Sequence, residues 1–151
     1  MTPENLKKNF GRCKNWEEKY LYLVELGERY CLLSSLDQIA ENRVSGCQSQ
    51  VWITLRLDPS SSSKLLVSAN SDSAVVRGLL ALIIIVYDRV DISEALSFDI
   101  RFWFSELSLS DHLTPTRTMG LNSVINTIRK ELVLLTIKGS DNALREEGVK
   151  P

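Results

Sequence analysis

The chain carries a single histidine among its 151 residues, and its three cysteines, Cys13, Cys31 and Cys47, stand far apart with no CxxC pair. A structural zinc site needs clustered Cys and His pairs, so that class of fold is excluded. Charge of one sign is missing too. Eighteen Lys plus Arg stand against nineteen Asp plus Glu, for a formal charge of -1, which argues against a broad basic surface for nucleic acid and leaves only a local patch. The longest nearly apolar stretch, Leu79 to Tyr87 between Arg77 and Asp88, is about half of the ~20 residues that span a bilayer, so no membrane segment is expected. The opening MTPENLKKNF lacks the apolar core and cleavage site of a secretory signal, and an odd number of cysteines suits a reducing cytoplasm. No Walker lysine, dinucleotide glycine pattern or internal repeat is present.

What is present is an ordinary globular composition, 44% apolar, at a length that suits one domain with its own core. Thr2 and Pro3 mark a cap and first position for a short helix carrying Leu6, Phe10 and Cys13 on one face. Asn15 and Glu18 have capping-box spacing, followed by a helix over 16–29 with Trp16, Tyr20, Leu23, Val24 and Gly27 as its apolar stripe. Residues 30–46 read as an irregular connection held to the core by Leu32, Leu33, Leu36 and Ile39. Alternation of Val51, Ile53, Leu55 and Leu57 with Trp52, Thr54 and Arg56 predicts a strand, with Trp52 covering an edge or meeting a partner. The turn DPSSSS then returns the chain into a strand over 64–68, giving a small antiparallel sheet.

The run AVVRGLLALIIIVY sets propensity against length: Ile83, Ile84, Ile85 and Val86 favour strand, whereas its extent and the caps available at Asn70, Ser71 and Asp72 favour a buried helix. Gly78 offers close packing. Asp91 and Glu94 form another capping-box pair, and Phe98, Phe102, Trp103 and Leu107 suggest a short aromatic-rich helix. A last helix carries Leu121, Val124, Ile125, Ile128, Leu132 and Leu135. The expected organisation is one α/β (α+β) domain over 1–137, then a polar extension over 138–151 that is expected to be mobile.

Chemistry narrows to one thiol. Cys47 follows Gly46, precedes the polar Gln48, Ser49 and Gln50, and sits just before a strand, a setting that presents a side chain at a loop tip. The residues themselves leave it between a reactive thiol and a partly buried loop cysteine. A nucleophile must be a thiolate, so Arg43, Arg77 and Arg117 are candidate electrostatic neighbours. Cys13 and Cys31 read as packing residues, and His112 as a hydrogen-bonded loop residue or a partner contact. The aromatic set reads as core, and the acids Asp88 and Asp91 as caps and turns.

Several separated segments share one resemblance: NWEEKYLYLVELGER at 15–29, GCQSQVW at 46–52, SDSAVVRGLLA at 71–81, FDIRFWFSEL at 98–107 and HLTPTRTMGLN at 112–122. Through them the chain, from about Leu6 to Leu135, closely resembles the SufE family of sulfur acceptors in iron-sulfur cluster assembly. The resemblance implies a compact domain with helices around a small antiparallel sheet, related in architecture to IscU-type scaffolds. It puts the persulfide-forming cysteine at Cys47 and the arginine of an LTPSR-like segment at Arg117, where this chain reads LTPTR. Glu106 matches an acidic position after the WF pair; Cys13 has a counterpart in some relatives and Cys31 inherits no role. Gly46, Gln48, Arg43, Arg77, Glu106, His112 and Arg117 are the supporting or docking candidates.

The implied partners are a SufS-like cysteine desulfurase, which carries the pyridoxal phosphate (PLP), and a SufBCD-type scaffold. The chain itself would bind no cofactor or metal, and would act as a covalent sulfur carrier and activator instead of a stand-alone enzyme. A homodimer stays open. An IscU-like cluster scaffold or a noncatalytic desulfurase-binding module is the alternative, weakened by the scarcity of cluster ligands. A thiol peroxidase is a third, without a recognisable peroxidatic neighbourhood.

Overall fold

The computed structural model describes residues 1–109 and 113–149, without the side chains of Ser62 and of 138–149. The helices are α1 (Pro3–Arg12), α2 (Trp16–Tyr30), α3 (Ala74–Tyr87), α4 (Ile92–Ser97), α5 (Ile100–Glu106) and α6 (Pro115–Val149), and the strands are β1 (Val51–Asp58) and β2 (Ser61–Ser71). The strands form one antiparallel two-stranded sheet, in register from Val51 opposite Ser71 to Leu57 opposite Leu65. A small sheet packed with helices is the α+β architecture expected from the sequence.

Local signals place most helix starts. Thr2 Oγ1 accepts from Asn5 N–H at 3.1 Å, with Pro3 at the first helical position, where a missing N–H costs nothing. Asn15 Oδ1 accepts from Glu18 N–H at 3.0 Å, while the Glu18 carboxylate takes the N–H of Lys14, one residue earlier than a reciprocal box would place it. The stripe on α2 is rotated from the expected one. Leu23, Leu26 and Gly27 are buried and Tyr20 is exposed, because α2 meets α3 along its glycine.

Helix α3 resolves the conflict in AVVRGLLALIIIVY. Every residue from Gly78 to Tyr87 is buried, and a helix buried all round shows no 3.6-residue period to distinguish it from a strand. Its cap is Ser73, whose Oγ accepts from Val76 N–H, and not the expected Asn70, Ser71 or Asp72. Asn70 and Ser71 instead complete β2, and Asp72 accepts from Gln50 N–H. The hairpin is tighter than DPSSSS suggested: Asp58 Oδ1 accepts from both the N–H and the hydroxyl of Ser60, and β2 begins at Ser61.

The connection over 30–46 departs furthest from expectation. Leu33 is buried, its N–H directed to Ala69 C=O at 3.4 Å, but Leu32 and Leu36 are 72% and 85% exposed and Ile39 is exposed too. Two short 3-10 turns fix this path through backbone and Ser34 hydrogen bonds, so apolar identity without periodicity did not define a face. Asp91 likewise makes no capping bond to α4; its carboxylate accepts from Ser63 Oγ at 2.8 Å. In α5, Trp103 and Phe104 are buried edge to face, whereas Phe102 is 63% exposed. Helix α6 buries Val124, Ile125, Ile128 and Leu132 as its pattern predicts, and its backbone stays helical across residue 138 to Val149. Among the described residues no helix is long and apolar enough to cross a membrane.

The glycines at the α2–α3 crossing set its closeness. A Cβ on Gly78 would stand 2.5 Å from Leu23 O, and one on Gly27 would stand 2.8 Å from Gly78 N, so both chains would have to part. Gly78→Ala should therefore lower unfolding stability by about 1–3 kcal/mol through overpacking. Gly11→Ala, whose Cβ meets nothing within 4 Å, should instead gain up to about 1 kcal/mol. Urea unfolding midpoints at unchanged slope check both, and equal midpoints for Gly78→Ala and the parent would contradict the close crossing.

Candidate functional site

The loop between the second 3-10 turn and β1 is pinned at both ends. Val44 N–H donates to Val51 C=O at 2.9 Å, and Gln50 N–H donates to the Asp72 carboxylate at 3.1 Å. Between those ties Gly46 adopts φ +86°, a left-handed conformation that disfavours any side chain, and a Cβ there would also stand 2.7 Å from Ser123 Oγ. The turn presses the loop onto α6. Cys47 consequently points inward, half-buried, with its Sγ 3.6 Å from Gly120 C=O.

Beside this thiol lies a cavity of about 210 Å³. Val51, Val76, Leu79, Leu80, Leu121 and Val124 supply its apolar wall, and Gln48, Ser49, Thr114, Thr116 and Arg117 its polar one. Thr114 Oγ1 accepts from Arg117 N–H at 3.2 Å, which organises the first turn of α6 and sets Arg117 on the wall of the cavity that Cys47 also lines. Burial pushes the Cys47 thiol above its ordinary value, so this conformation favours the protonated sulfur over the thiolate.

The other candidates disperse. Arg43 is exposed and pairs as a bridge with Trp52, facing a separate groove with Arg56 and Glu131. Arg77 belongs to Cys31: that buried thiol donates to Arg77 C=O at 3.1 Å, and the Arg77 charge acts on it. Glu106 forms an ion pair with Lys7 that ties α5 to α1. Gln48 and Gly46 accompany Cys47 through the loop itself. His112 lies outside the described residues. The three thiols meet carbonyls on three different helices, Asn9 of α1, Arg77 of α3 and Gly120 of α6, and among the described residues no three His, Cys, Asp or Glu gather to hold a metal. Gly120, Ser123 and the α3 residues lining the cavity were not singled out from the sequence. A glycine inside a helical pattern, as in TMGLN, was the available signal.

The model of the SufE Fe-S metabolism associated domain matches residues 4–132. The chain belongs to the SufE family. Its fold is also similar to the solution structure of a hypothetical protein from Thermus thermophilus, with a TM-score of 0.72 at 14% identity over 91% of this chain and 99% of the other. That likeness concerns the fold. Membership in the SufE family supports a general sulfur-acceptor role in iron-sulfur metabolism.

Thiol titration separates the cysteines of this SufE-family chain. Burial drives Cys31 up to about 12, against a smaller opposing pull from Arg77, and burial also raises Cys13 and Cys47. Limited alkylation near pH 8.5, the value of a free thiol, should label Cys13 first, Cys47 more slowly because it is more deeply buried, and spare Cys31, as peptide mass spectrometry would read. The folded state keeps the Cys31 proton after the unfolded chain has lost it. This contribution to stability is therefore complete below the ordinary thiol value and falls as pH rises from about 9 towards about 12. Urea midpoints across that range in the parent and Cys31→Ser check the sign: the parent should show the steeper loss.

Proposed function

We propose that this chain accepts sulfur on Cys47 from a SufS-like, PLP-dependent cysteine desulfurase and delivers it to a SufBCD-type scaffold for iron-sulfur cluster assembly. The observation that carries the reading is the inward-facing thiol on a glycine-turned loop, beside an apolar cavity with Arg117 at its side, in a chain of the SufE family. In the transfer, the Cys47 thiolate attacks the outer sulfur of the donor's persulfide. A Cys47 S–S bond forms, the donor's S–S bond breaks, and the donor leaves as its thiolate while the transferred sulfur keeps its proton. One S–S bond replaces another, so no external oxidant or reductant is consumed.

The resting geometry favours storage over attack. Burial holds Cys47 as the neutral thiol and limits access, which protects it from adventitious oxidation. Docking of the donor draws the loop outward, exposes the sulfur and favours its ionised form, and Arg117 from the cavity wall contributes charge once the loop has moved. Removing sulfur from the donor then speeds the donor's own cycle, so turnover belongs to the complex and this chain acts as its carrier and activator.

The test mixes reduced chain, a desulfurase and free cysteine without added reductant, then maps sulfur by intact and peptide mass spectrometry. One sulfur on Cys47 and faster desulfurase turnover are expected, with both lost in Cys47→Ala. Complex formation by a competent donor without any transfer would assign the chain to docking instead.

A further inference from the structure

The contact between Cys47 and α6 has a feature that storage of a single thiol does not explain. Gly120 lies in the body of α6, where glycine is a poor helix former, and it is buried. A Cβ there would stand 3.5 Å from Cys47 Sγ and 3.8 Å from both Cys47 Cα and Cys47 Cβ, which is ordinary van der Waals contact. Alanine would thus fit the empty thiol state, unlike the severe crowding it would meet at Gly78. The bare Cα leaves open the space directly against the sulfur. Gly46 packs on Ser123, three residues further along the same helix, so the loop lies along α6 with Cys47 over Gly120.

A second sulfur changes this contact in two ways. The Sγ of a persulfide has no proton to donate, so its hydrogen bond to Gly120 C=O is lost. The added atom stands ~2.05 Å from Sγ, and the carbonyl oxygen at 3.6 Å leaves no room for it along the former S–H direction. It is displaced to the side of that oxygen, towards the cavity that Cys47 and Gly120 both line, where a methyl on residue 120 would take up part of the space.

We propose that Gly120 is a positioning residue for the transferred sulfur: its carbonyl holds the empty thiol, and its missing side chain leaves the seat for the second sulfur. Loading replaces one contact with the other, so α6 distinguishes the loaded carrier from the empty one. This inference rests on the acceptor reading of Cys47 and assigns the group that shapes its cargo site.

Inorganic polysulfide serves as a sulfur source that needs no partner, with the product read by intact and peptide mass spectrometry. Wild type and Gly11→Ala should each take one sulfur on Cys47. Gly120→Ala should keep its free thiols and melt no lower, yet hold on the order of tenfold less persulfide, the effect expected of modest overpacking in the loaded state alone. Equal loading in a Gly120→Ala chain of undiminished melting temperature overturns the seat. Should that variant unfold, the ¹³C carbonyl resonance of Gly120 in wild type decides: it should move on loading, and an unchanged resonance overturns the proposal. Failure of wild type itself to load Cys47 removes the acceptor reading and the seat with it, whereas loading with no Gly120 effect removes the seat alone.

Discussion

The close crossing of α2 and α3 at Gly27 and Gly78 is the constraint on which the other contacts depend. It lets two backbones approach where side chains would hold them apart, and so allows α3 to be buried on every side. With α3 central, the sheet packs on it through β2, and Val76, Leu79 and Leu80 from its first half remain available to wall the thiol cavity. A looser crossing would displace that wall. The helix that makes the core thus also supplies the apolar side of the candidate site.

The candidate site joins two opposed demands. A sulfur carrier must expose a thiolate to its donor, whereas free thiols exposed to oxidants are lost. The loop meets the second demand at rest, since Gly46 turns Cys47 inward and burial raises its pKa. On the proposed reading, reactivity is conditional on the loop's leaving α6. The ties at Val44 and Gln50 would confine such a movement to the few residues between them and leave β1 in register.

Legibility followed the range of the interactions involved. Caps at Thr2 and Asn15 and the apolar stripe of α6 could be read because each involves residues within a turn or two of one another. Leu32, Leu36 and Ile39 misled because hydrophobicity alone carries no direction, and their path is settled by backbone bonds such as the one from Leu33 to β2. Arg77 misled for a related reason: nearness to Cys47 was one option among several, and helix α3 brings it to Cys31 instead. At the candidate site, Gly46-Cys47 stood out locally, while most of the cavity wall drew on α3 and α6, both remote in the chain.

The sequence by itself determined the composition class, the starts of α1 and α2, the alternating strand, the glycines that permit close approach and the one thiol flanked by loop-forming residues, all of them consequences of local chemistry. Only the tertiary structure decided that AVVRGLLALIIIVY is a helix, since complete burial erases its period, and that Gly120 meets Cys47 and Arg117 lines the cavity beside it while Arg43, Arg77 and Glu106 lie elsewhere. The physical reason is separation along the chain. Those choices depend on packing between elements, whose free energy is shared by many residues and written in none of them singly.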